Sequence, residues 1–148
     1  MPQDFDYILR FALYLFISML SLSATAGQLT ISLDGLQDTT TVHAALFSEQ
    51  ASDWNAKPVA IATSSQDTLV FIDIPAGRYA LQLFADSNQN GQLDSSPRGI
   101  PLEPVGFSNN PSLMQGKPSL KQCIFHHSGG NTPLQIRLIS PSRQQRQR

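Results

Sequence analysis

Along most of this chain, apolar and polar positions alternate with a period of two. Leu29, Ile31 and Leu33 alternate with Gln28, Thr30 and Ser32. Val42, Ala44 and Leu46 alternate with His43, Ala45 and Phe47, so that run is apolar on both faces. Residues 59–63 make a short third run. In the next, strict alternation puts Leu69, Phe71 and Asp73 on one face, opposite Val70, Ile72 and Ile74. Tyr79, Leu81 and Leu83 alternate with Ala80, Gln82 and Phe84. Cys123 and Phe125 follow, then Leu134, Ile136 and Leu138 against Gln135 and Arg137. Successive side chains of a strand point to opposite faces, so this period predicts strands. Turn residues such as Asp34-Gly35, Pro75-Ala76-Gly77 and Ser128-Gly129-Gly130-Asn131 separate the runs. No window carries a helix longer than two turns. About seven short strands predict an all-β domain, an antiparallel β-sandwich of the immunoglobulin-like or prealbumin-like kind.

The amino terminus does not share the pattern. Residues 11–24 are apolar apart from small serines, Arg10 precedes them, and Ala24-Thr25-Ala26 follows. That is the layout of a Sec-type signal peptide, 1–26, cut after Ala26. Its apolar run is shorter than the roughly 20 residues that span a bilayer. No cysteine stands at the cut for a lipid anchor. The expected product is exported to the periplasm or outside the cell, with no membrane span after cleavage. Residues 27–140 form the sandwich domain and 141–148 a disordered basic tail.

Of 148 residues, 10 are Lys or Arg and 11 are Asp or Glu. That near balance, with no basic stripe interleaved with aromatics, excludes a nucleic-acid partner. The single cysteine, Cys123, leaves no internal disulfide, so packing must hold the fold. In its apolar run it reads as a small buried hydrophobe. A monomer is expected, and no partner protein or carbohydrate is specified. Trp54 would either cover a core edge or stand exposed as a platform for a sugar.

The candidate chemistry lies in Asp86-Ser87-Asn88-Gln89-Asn90-Gly91-Gln92-Leu93-Asp94. Oxygen-bearing side chains at alternate positions, then glycine, match the front half of a calcium loop. Asp86, Asn88, Asn90 and Asp94 would supply side-chain oxygens and Gln92 its carbonyl. Position twelve is Pro97, so the closing carboxylate is missing unless Glu103 folds back. Weak calcium binding is expected, roughly 10⁻⁴ to 10⁻³ M. The competing reading is a turn whose side chains cap their own backbone. Residues 99–110 lack periodicity and are long for a connection, as functional loops often are. Phe107, Asn109 and Asn110 are the ligand-binding candidates there; the competing and favoured reading packs the loop over one end of the sandwich, its asparagines satisfying buried carbonyls.

No catalytic motif is visible, and no catalytic residue is assigned. Of the histidines, His43 lies on a strand and His126-His127 at the end of another, where adjacent side chains cannot easily share a metal. All three are expected at edges or on the surface. The sequence therefore predicts a non-catalytic exported module that binds calcium weakly at 86–94 and a ligand or partner through its loops. The alternative is a secreted enzyme of the hydrolase type, its site assembled from His43, His126 or His127 and loop carboxylates.

Two resemblances add to this reading. Ile74-Pro75-Ala76-Gly77-Arg78-Tyr79-Ala80-Leu81 resembles the hairpin of prealbumin-like and Cna-B-type sandwiches. The residues themselves already predict this hairpin: Pro75 presets one backbone angle of a tight turn, Gly77 accepts the positive φ it requires, and Tyr79 is expected to turn into the core. In sandwich repeats of some bacterial surface adhesins, a similar hairpin is followed by a calcium loop. A closer likeness covers nearly all of the chain after residue 26. The residues carrying it are Leu29-Thr30-Ile31-Ser32-Leu33-Asp34-Gly35-Leu36, Phe84-Ala85-Asp86 with the loop after it, and Gly99-Ile100-Pro101-Leu102-Glu103-Pro104-Val105-Gly106-Phe107-Ser108-Asn109-Asn110. These blocks resemble the exported bacterial domain of unknown function 2141, which implies a small sandwich with no assigned activity. That family usually has a histidine where Ala85 stands and a tyrosine where Val105 stands.

Overall fold

The computed structural model describes residues 26–36 and 40–140. The expected signal peptide and basic tail lie outside the described residues, apart from Ala26. Among the described residues eight strands are present: β1 (Ala26–Asp34), β2 (Thr41–Ser48), β3 (Ala60–Ser64), β4 (Thr68–Pro75), β5 (Gly77–Asp86), β6 (Val105–Phe107), β7 (Ile124–His127) and β8 (Asn131–Arg137). They form a three-stranded sheet, β4-β1-β8, and a five-stranded sheet, β3-β2-β5-β6, with β7 also paired to β5. The β-sandwich expected from the period-two pattern is what the chain builds. One pair departs from antiparallel order: β1 and β8 run parallel, from Gln28 opposite Asn131 to Asp34 opposite Arg137.

The main core lies between the sheets. Leu29 and Ile31 of β1, Val42 and Leu46 of β2, Leu81 of β5 and Ile136 of β8 are fully buried there. Each such side chain contributes roughly 1.5–3 kcal/mol relative to exposure. Gly106 of β6 faces this core, where a Cβ would stand 2.8 Å from Ile136 Cγ2 and 2.9 Å from Leu83 Cδ1. A second apolar cluster lies on the outer face of the five-stranded sheet, as expected of a strand apolar on both faces. Phe47, Phe107, Leu113, Leu120 and Cys123 form it, and Trp54 packs against it.

Several expectations are corrected. The segment after Ile72 is not a hairpin. Pro75 pairs with Ala26 in one sheet, while Gly77 pairs with His127 in the other. The chain arches between the sheets, and the Tyr79 hydroxyl donates to the Pro75 carbonyl across the bend at 2.9 Å. Tyr79 is only half-buried, packed against the main core. Gly77 does not adopt a positive φ; a Cβ there would sit 3.2 Å from the Tyr79 ring. In β4 the strict alternation fails at Asp73. It takes a φ of 58° and makes a bulge against β1, which returns Ile74 to the buried face. Residues 105–107, read as part of an aperiodic loop, form strand β6. Cys123 belongs to a 3₁₀ turn, Leu120–Cys123, ahead of β7. His127 is not at the surface. It is fully buried, with Nε2 3.0 Å from the Ile74 carbonyl and Nδ1 2.7 Å from Thr132 Oγ1.

Candidate functional site

Strand β5 ends in Asp86, on the outer face of the five-stranded sheet, and its carboxylate organises the loop that follows. Oδ1 accepts the Asn90 N–H at 3.2 Å and Oδ2 the Gly91 N–H at 2.8 Å. His43, on β2 beside it, places Nε2 3.4 Å from Oδ2 and stacks on Phe84 with ring centres 5.1 Å apart. Asp86 is 2 % exposed. Burial pushes its carboxyl up, but the N–H groups of Gly91, Asn90 and Gln89, with His43, outweigh that and hold it below the usual aspartate value.

The other loop candidates converge on one another. Asn88 Oδ1 accepts from the Asn90 N–H and Asn90 Oδ1 from the Gln92 N–H. Both amide groups then donate to Asp94 Oδ2, at 2.6 and 3.0 Å. Glu103 does fold back. It is buried, and it accepts the Ser87 N–H at 2.8 Å and the Asp94 N–H at 3.2 Å. Asp86, Asn88, Asn90, Asp94 and Glu103 thus belong to one network, to which Gln92 adds a backbone N–H. Their oxygens already accept N–H groups of the chain. Among the described residues, no group of three or more His, Cys, Asp and Glu side chains is placed to hold a metal. For calcium, the Asn88 and Asn90 amides must turn so that oxygen rather than nitrogen faces Asp94.

Phe107 is buried in the outer cluster, 5.5 Å from the Trp54 ring. Asn109 and Asn110 occupy the left-handed region, with φ of 64° and 46°, which asparagine tolerates better than most residues. Asn109 donates to the Ile124 carbonyl at 2.8 Å. Asn110 donates to the Gln135 carbonyl and accepts the Arg137 N–H, both at 2.8 Å. Both side chains therefore tie the end of β6 to neighbouring strands. Trp54 covers the core edge, donating from Nε1 to the Pro118 carbonyl at 2.7 Å. Cys123 is fully buried, and burial raises its thiol to about 11.

Sequence reasoning missed a groove of about 940 Å³ on the outer face of the five-stranded sheet. His43, Ala45, Ile61, Gln82 and Phe84 are its floor. Its walls come from the loops that carry Leu93, Arg98 and Ile100 on one hand and Leu113 and Lys117 on the other. The pair of apolar faces on β2 was the available signal, since an outward Ala45 beside Phe47 calls for cover.

A family model described as "Uncharacterized protein conserved in bacteria (DUF2141)" matches residues 22–135. The chain belongs to that family. The match spans the 86–94 loop, β6 and every residue named in the groove of this DUF2141 domain. No curated protein and no solved structure matches the chain. The family description assigns no activity, so the chemistry of this DUF2141 domain rests on its own geometry.

Proposed function

We propose that this DUF2141 domain is an exported, non-catalytic binding module that seats an apolar-bodied ligand in the groove of its five-stranded sheet. The groove carries this reading: it is concave, mostly apolar, and at the upper end of the roughly 300–1,000 Å³ usual for small-molecule sites. A neutral fluorophore such as N-phenylnaphthylamine should bind with enhanced emission, and Ile61→Glu should abolish the signal. Ile61 is 77 % exposed on an edge strand, so the change spares the core. Binding that survives the substitution would place the ligand elsewhere.

The 86–94 loop at one end of the groove is proposed as a weak calcium staple, supported by the convergence of Asp86, Asn88, Asn90 and Asp94. A site of about 1 mM affinity would add roughly 1.4 kcal/mol at about 10 mM calcium. The melting midpoint should rise by several degrees over EDTA, not with magnesium, and Asp86→Ala should remove the rise. An unchanged midpoint would leave a self-capped turn.

A second reading, a secreted hydrolase, is favoured by the carboxylate–imidazole pair of Asp86 and His43 beside the groove. His126 and His127 have no part in it, the first being exposed and the second buried between the sheets. Hydrolysis of a panel of nitrophenyl esters that His43→Gln abolishes would establish this reading over the first.

A further inference from the structure

The groove's lining is chemically uneven. Ile61, Leu93 and Ile100, three of the molecule's exposed large hydrophobic side chains, gather at it. Apolar side chains collected at one concavity mark a binding surface. The lining includes no aspartate or glutamate, but it includes the cations Arg98 and Lys117. Arg78 pairs with Glu49 and Arg137 with Asp34; among the described residues Arg98 and Lys117 have no such carboxylate within reach. Lys117 lies 5.5 Å from the Trp54 ring centre. Partial desolvation of this exposed side chain lowers its ammonium from the usual value, with Asp53 and Cys123 opposing.

An apolar seat walled by cations that no carboxylate contacts at salt-bridge distance complements a molecule with an apolar body and one negative head. The chain's own last residues do not answer that description, since 141–148 read Pro-Ser-Arg-Gln-Gln-Arg-Gln-Arg, polar and basic. We propose that the groove binds a small amphipathic anion, its apolar body on Ala45, Ile61 and Phe84 and its negative head drawn by the cations of the two walls, Arg98 and Lys117. This rests on the groove being the binding seat, and it adds the ligand's charge.

Two matched fluorophores separate the two claims. Anilinonaphthalene sulfonate and N-phenylnaphthylamine share one ring system and differ by the sulfonate. The sulfonate should bind the purified protein about tenfold more tightly. The double substitution Arg98→Gln with Lys117→Gln should close that gap and leave the neutral probe unchanged. Both changed residues are exposed, so folding is not at stake. Ile61→Glu should abolish the signal of both probes. Equal affinity for the two, or a gap that survives the double substitution, would overturn the anion assignment while the groove reading stands. Failure of the neutral probe, or indifference of both probes to Ile61→Glu, would remove the groove reading and this inference with it. Sedimentation as a dimer that Ile61→Glu converts to monomer would assign the groove to a second copy and overturn both.

Discussion

Asp86 closes strand β5, caps the backbone of the following loop and faces His43, all with one carboxylate. Because its folded-state carboxyl lies below the usual aspartate value, the ionised form stabilises the fold. That contribution is fully present above the unfolded-state value and is lost as the pH falls through the lower, folded one. Urea midpoints should therefore fall on acidification through the range below the ordinary aspartate value. In Asp86→Asn the midpoint should already be lower at neutral pH, because the Asn90 and Gly91 N–H groups bond different oxygens of Asp86 and the amide would set a donor NH2 in place of one of them. The substituted protein should also show a shallower acid decline. An equally steep decline would mean that other carboxyl groups carry the acid sensitivity. The spacing of Asp86, Asn88, Asn90 and Asp94 was enough to foresee a structured loop. It was silent on His43, which stands 43 positions from Asp86 in the chain and meets it only because Thr41 of β2 pairs with Asp86 of β5.

Among the elements, β5 shows how the sheet depends on a single side chain between strands. One of its edges is filled by β7 against residues 77–80 and by β6 against residues 82–84. Leu81 falls between the two. Ser108, fully buried, bridges the gap: its N–H donates to the Leu81 carbonyl at 3.0 Å, and its Oγ accepts the Leu81 N–H at 2.9 Å. Ser108→Ala should leave a buried donor unsatisfied and destabilise the fold by about 1–3 kcal/mol in urea unfolding. A change near zero would show that water or a shifted neighbour takes over. The strands themselves were legible wherever five or more residues alternated. β6 was not, because three residues with Gly106 at their centre carry no period. The partner of each strand was equally hidden. Pro75 and Gly77 read as a hairpin turn, yet nothing local distinguishes a turn within one sheet from an arch between two. A bulge such as that at Asp73 also escapes a strict count of two.

At the scale of the molecule, two sheets and a loop-walled groove come from one continuous stretch that begins at Ala26. Among the described residues no helix is long and apolar enough to cross a membrane. Cleavage after Ala26 would remove only the first residue of β1, whose partner is Pro75, and leave Leu29, Ile31 and Leu33 in register. Mass spectrometry of protein recovered from the periplasm or medium should thus find Gly27 as the first residue. An intact amino terminus there would contradict cleavage after Ala26, and recovery of the protein only from the cytoplasm would contradict the export proposal. The groove was illegible in the sequence because its floor is drawn from three strands and its walls from two loops, each unremarkable alone. The parallel pairing of β1 with β8 has a further consequence, in time rather than space. Thr30 bonds Asn131, 101 positions later, so the central strand of its sheet lacks one neighbour until β8 has been made. Such distant pairing makes folding slow and late. Until then the sheet stays open, in the state a polypeptide needs if it is to be threaded through a translocation channel.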